Sequence, residues 1–183
     1  MNKLNVIVLA STIREKRKSI KAAELVRDVG QEFSELEIKF VDVKDFYPLK
    51  NEGNDDESKH PKWIELNKWA DAYFIVAPEY NHSFPGSLKM LLDNDLKNYK
   101  HKPVNLAGVS SGSMGGARMI ESILSPLREM GFVVTFSDVY FPNINSFLED
   151  SEKIEAQKER IRKAYKELIW MATTLKWGRE NLE

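Results

Sequence analysis

The chain has 183 residues, with 27 Lys plus Arg against 28 Asp plus Glu and a formal charge of −1. A chain of this length buries about 70% of its unfolded surface and needs no covalent staple. It contains no cysteine, which excludes structural disulfides, thiolate-held zinc, cysteine-ligated iron–sulfur clusters and cysteine nucleophiles. Redox chemistry therefore requires a bound cofactor, and the balanced charge argues against a nucleic-acid partner. The length suits one domain over residues 1–183. The N-terminal apolar run is too short for a membrane span, so a cytoplasmic protein without a membrane partner is expected.

Five short apolar runs read as strands: Leu4 to Leu9, Leu36 to Val43, Tyr73 to Ala77, Val104 to Val109 and Phe132 to Phe136. The first, third and fourth are nearly continuous, as in strands covered on both faces. Between them Ala22, Ala23, Leu25, Val26 and Val29 recur at helical spacing, as do Leu88, Leu91 and Leu92. Ile120, Ile123, Leu124, Leu127 and Met130 form a third stripe, which Gly131 ends. A long final helix is predicted from about Ser151 to Trp177. The alternation predicts a doubly wound α/β sandwich with a five-stranded parallel sheet. Asp45 to Pro61 is polar and too long for a simple connector, either a functional lid or a surface loop.

Ligands of open parallel sheets bind beyond the carboxyl ends of the strands, which singles out three segments. The first, Ala10 to Ser19, joins a buried strand to a helix. Its helix start offers unpaired amides to an anion, Ser11, Thr12 and Ser19 offer hydroxyls, and Arg14 offers a planar fork. The alternative is a solvated loop in which Ser19 caps the helix. The second, Ala77 to Lys89, holds Pro78, Glu79, Tyr80, Asn81, His82, Ser83, Phe84, Pro85 and Gly86. Its prolines fix the backbone, and Tyr80 and Phe84 suit the walls of a planar ligand's site; a packed turn is the alternative. His82 reads as a surface or supporting residue. The third, Ser110-Ser111-Gly112-Ser113-Met114-Gly115-Gly116-Ala117-Arg118, pairs small residues with glycines that let a ligand near the backbone, or forms a flexible turn with Arg118 in solvent. No metal ligands are identified.

The stretch Pro78 to Lys89 closely resembles the flavin-binding signature of the NADPH-dependent FMN reductase family, and the two flanking loops and strand plan are similar to it over residues 3 to 140. That resemblance implies a flavodoxin-like three-layer fold. It implies that Ser11, Thr12, Arg14, Ser19 and the amide of Ile20 hold the FMN phosphate. Pro78, Glu79, Tyr80 and Asn81 would lie against the isoalloxazine, and Ser110, Ser111, Gly112 and Gly115 would approach its other polar side. Many members carry a glycine where this chain has Ala10-Ser11.

The activity implied is hydride transfer from NADPH or NADH to FMN, then to a flavin, quinone, azo compound or metal oxyanion. The hydride step requires no side-chain acid or base, so no catalytic residue is named. A flavodoxin-type electron carrier is the alternative, disfavoured by the near-neutral charge and the basic run Lys16-Arg17-Lys18. Homodimers or homotetramers are implied by the resemblance, with Leu88 to Leu96, Ile120 to Met130 and Trp63, Trp69, Trp170 and Trp177 as candidate interface residues.

Overall fold

A computed structural model describes residues 3–49 and 60–182. The first half runs through β1 (Leu4–Ala10), α1 (Ser19–Gly30), β2 (Leu36–Asp42), a 3-10 turn (Val43–Phe46), α2 (Pro61–Trp69), β3 (Ala72–Pro78) and α3 (Gly86–Asp93). Then come β4 (Pro103–Val109), α4 (Ala117–Glu129), β5 (Val133–Val134), β6 (Val139–Phe141), α5 (Ile144–Phe147) and α6 (Ser151–Asn181). The strands are parallel in the order β2-β1-β3-β4-β5, with β6 also pairing with β4. The order in which strands are added reverses between β1 and β3, which makes the switch point of a flavodoxin-like sheet.

The continuous apolar runs are buried on both faces of this sheet. Val6, Val8 and Ala10 of β1 join Ala22, Val26, Ile161, Tyr165 and Leu168 in a core beneath α1 and α6. Ile7 and Leu9 point the other way, into a second core with Trp63, Leu88, Leu91, Leu92, Ile120, Ile123 and Leu127 beneath α2, α3 and α4. Period-two alternation along one strand thus feeds two helix layers.

Two expectations change. The fifth strand position is filled by two short segments: Val133 and Val134 pair beside Pro103 and Val104, the chain leaves the sheet, and Val139 to Phe141 return beside Ala107 to Val109. Phe136, expected in the strand, is 82% exposed in the excursion. Second, Trp63 is a core residue rather than a surface aromatic, fully buried with its indole N–H donating to the Tyr99 hydroxyl at 2.8 Å. It sits on α2, a helix absent from the sequence reading because its buried residues are only Trp63 and Asn67. Pro61 starts that helix, where its missing N–H costs nothing. Most of the expected loop Asp45 to Pro61 lies outside the described residues.

Candidate active site

The loops after β1, β3 and β4 meet at the switch point in a cleft of about 210 Å³. Arg14, Lys16, Arg17, Lys18 and Ser19 line it from the first loop, Pro78, Glu79 and Tyr80 from the second, and Val109, Ser110 and Ser111 from the third, with Ile144 closing one side.

The first loop is tied down from beneath. Ser11 is buried, and its hydroxyl donates to the Val76 carbonyl at 2.7 Å. Thr12 is buried too; its hydroxyl lies 3.0 Å from that of Tyr80 and accepts from the Arg14 amide at 3.4 Å. These two hydroxyls position the loop rather than line the cleft. Arg17, from the basic run, turns back to donate to the Thr12 carbonyl and to the Asp42 carboxylate at the end of β2. Lys16 and Lys18 remain exposed. Helix α1 opens without a side-chain cap and without an acidic residue in its first turn. Its first amides therefore retain the donors and dipole that favour an anion. Ser19 is buried there and lines the cleft, while Ile20 packs its side chain on the core and leaves its backbone to the helix start.

The second loop is a tight hairpin. Tyr80 and Ser83 exchange backbone hydrogen bonds of 2.8 and 3.0 Å, and Asn81 and His82 between them both have positive φ, 50° and 63°. That is the geometry of a two-residue type I′ turn, which asparagine tolerates well. Asn81 thus stands at the exposed tip, away from the cleft lining. The Glu79 amide donates to the Val109 carbonyl at 2.8 Å and so locks the second loop to the third. The Arg14 guanidinium lies 4.0 Å from the Tyr80 ring centroid. Both line the cleft, so their stack narrows its mouth. Arg118 spans the rim, 2.9 Å from the His82 Nε2 and 3.7 Å from a Glu79 carboxylate oxygen. The other Glu79 oxygen is buried without a hydrogen-bond partner among the described residues. A buried carboxylate oxygen costs free energy unless something donates to it, so Glu79 is poised for a donor from the cleft.

The third loop is shaped by glycine. An ideal Cβ on Gly108 would stand 2.7 Å from the carbonyl oxygens of both Gly115 and Gly116, so β4 and the loop touch backbone to backbone. Gly115 has φ +62° and packs against Tyr140 and Pro142; it serves the loop's own packing and does not line the cleft. Gly112 has open space where its Cβ would be. The Ser110 hydroxyl donates to the Gly112 carbonyl at 2.8 Å. Just before β6, burial and then the Glu121 charge push the Asp138 carboxyl up to about 6, against a Tyr140 hydrogen bond that lowers it.

The family model for NADPH-dependent FMN reductase matches residues 4–146. The chain belongs to that family. A quinone reductase of Pseudomonas putida is 26% identical over 170 residues, covering 88% of this chain and 90% of that protein. An NADPH azoreductase of a Bacillus species is 31% identical over 124 residues, covering 66% and 68%. Among solved structures, an oxidoreductase of Corynebacterium diphtheriae superposes with a TM-score of 0.74 over 95% of this chain and 99% of its own, at 19% identity. As an NADPH-dependent FMN reductase family member the chain is an oxidoreductase, with FMN as cofactor and a reduced nicotinamide as co-substrate. The cleft fits that cofactor on two counts, an uncapped helix start for a phosphate and an unpaired Glu79 oxygen for a ring donor, while Gly112 is exposed beside the cleft lining. One supporting residue, Asp42, escaped the sequence reading; Arg118, which closes the third segment in that reading, reaches His82 and Glu79. Asp42 ends a strand adjacent to β1, with Ala10 beside it, the one cue to its place beneath the first loop.

Proposed function

We propose that this chain acts as one FMN-binding domain that oxidises NADPH or NADH and reduces a small-molecule acceptor of the quinone, flavin, azo or metal-oxyanion type. The convergence of three loops on the switch point carries this reading. When bound, FMN would supply the redox chemistry of hydride and electron transfer. The protein's residues supply position and field. The amides of Ser19 and Ile20, the Ser19 hydroxyl and the Arg14 guanidinium would bind the phosphate, with Ser11 and Thr12 fixing the loop that presents them. Arg14 would leave the Tyr80 ring to do so, widening the mouth. Pro78 and Tyr80 would wall the isoalloxazine, Glu79 would accept from its polar edge, and Asn81 would hold the hairpin tip. Ser110, Ser111 and Gly112 would approach the opposite edge, with Gly115 supporting them.

A cytoplasmic homodimer or homotetramer completes the reading. The stripes Leu88 to Leu92 and Ile120 to Leu127 are buried largely in the chain's own core. Between α3 and α4 they leave a groove of mixed character, in which Leu96, Pro126 and Met130 are joined by Lys89, Asp93, Ser125, Arg128 and Glu129, as the face for a second copy. The test is steady-state kinetics on FMN-loaded protein with NADPH and NADH across a panel of quinones, flavins and azo dyes. Turnover with at least one acceptor is expected. FMN retention without nicotinamide oxidation would favour the electron carrier instead.

A further inference from the structure

Helix α6 buries Ile161, Ala164, Tyr165, Leu168 and Ala172 against the sheet and α1. Its opposite face carries two tryptophans one heptad apart, Trp170 at 62% and Trp177 at 59% exposure. Large aromatic surface left in water on a rigid helix costs free energy that a partner face recovers. The polar groups between and just beyond the rings are already satisfied. The Thr173 hydroxyl donates to the Ile169 carbonyl at 2.8 Å, the Thr174 hydroxyl to the Trp170 carbonyl at 2.9 Å, and the Asn181 side-chain amide to the Trp177 carbonyl at 2.8 Å. Each is turned back onto the helix, so covering this face strands no donor.

The charges bracketing the patch identify the occupant. Lys166 and Glu180 each stand seven residues from Thr173, on opposite sides of it, and both are exposed. Neither has an ion-pair partner among the described residues. Residues two heptads apart share a helix face. A second α6 laid antiparallel across a two-fold axis at Thr173–Thr174 therefore sets each Trp170 against the other copy's Trp177. The same rotation brings each Lys166 to within one residue's rise, about 1.5 Å along the axis, of the other copy's Glu180, twice by symmetry. Parallel pairing would oppose Lys166 to Lys166 and Glu180 to Glu180. Glu167 and Glu180 balance the exposed Lys163 and Lys166 beside the rings, which leaves no cationic excess for an anionic lipid surface.

We propose that the Trp170–Trp177 face of α6 is a self-association surface, in which two copies pair antiparallel. It is separate from the α3–α4 groove and does not depend on the redox reading. Four rings burying ~150 Å² each supply about half of the ~1,200 Å² found in the smaller stable interfaces, and lysine stems and threonine methyls extend the contact. The rings give the affinity and the ion pairs give the orientation.

The test is sedimentation velocity of the FMN-loaded protein across a concentration series, with W170A/W177A, K166E, E180K and K166E/E180K. All the altered positions are exposed and remote from the cleft, and far-UV circular dichroism checks each fold. The double tryptophan variant should weaken one association step by about 30-fold or more, the effect of losing interface anchors. Each single charge reversal should weaken the same step. The double reversal should restore it, because the two exchanged side chains again face each other with opposite charge across the two-fold axis. Association unchanged in W170A/W177A overturns the proposal, as does a double reversal no better than either single one. Wild-type protein that stays unassociated through this face but sediments with phosphatidylglycerol vesicles, in a tryptophan-dependent way, would assign the face to lipid and overturn it too.

Discussion

Gly108→Ala is the sharpest probe of how the fold shapes the cleft. The added methyl would meet the Gly115 and Gly116 carbonyl oxygens at 2.7 Å and the Gly116 carbonyl carbon at 2.9 Å. All three are backbone atoms, so no side chain can swing aside. Gly116 itself has φ +86°, and its own Cβ would stand 2.5 Å from the Val109 amide nitrogen, so the loop cannot retreat by repacking that residue. Overpacking of this kind costs about 3 kcal/mol, the upper end of its usual range. In a chain of this size that lowers Tm by about 6–12 °C. The 110–116 loop must also move off β4, so FMN affinity falls with stability. Differential scanning calorimetry and titration of FMN fluorescence quenching read the two effects. A variant that melts within about 2 °C of wild type and binds FMN equally would refute the backbone-contact argument.

Other substitutions separate structure from ligand contact. Gly112→Val meets open space, so Tm should hold within about 2 °C while FMN binding weakens at least tenfold by the same titration. Asp42→Asn leaves Arg17 with a neutral partner beneath the first loop; a loss of about 1–3 kcal/mol in chemical denaturation is expected, with weaker FMN binding although Asp42 does not line the cleft. Asp138 titrates at about 6 in the folded protein, above its ordinary value of 3.8. A raised carboxyl favours folding below the unfolded pKa, and that contribution is lost as pH rises through about 6. Asp138→Asn should therefore stabilise the protein on the order of 1–2 kcal/mol at about pH 8 and not at about pH 4, as urea melts at the two pH values will show. Tyr165→Phe removes the hydroxyl that donates to the Val26 carbonyl at 3.0 Å inside the α1–α6 core, a loss of about 1 kcal/mol by urea denaturation.

The sheet was legible where burial on both faces leaves an unbroken apolar run, as in β1, β3 and β4. Two regions were not, for identifiable reasons. Val133 to Phe141 contains two β-favouring stretches around Ser137-Asp138, and nothing local tells a single strand from two half-strands sharing one neighbour. Helix α2 buries Trp63 through a network with Asn67 and Tyr99 rather than an apolar stripe, so periodicity could not reveal it. At the cleft, spacing located the three loops because topology alone puts strand ends together. It could not distinguish residues that face the cleft, such as Ser19 and Tyr80, from those whose hydroxyls fasten the loop below, such as Ser11 and Thr12. That distinction depends on contacts from distant segments, Val76 for Ser11 and Asp42 for Arg17.

The central claim is that the three loops hold an FMN that a reduced nicotinamide can reach. Its most direct measurement is an anaerobic visible spectrum of protein loaded with FMN and desalted, before and after one equivalent of NADPH. A retained yellow chromophore that bleaches on addition is the predicted result. A colourless protein, or a yellow one that neither NADPH nor NADH bleaches, would contradict it.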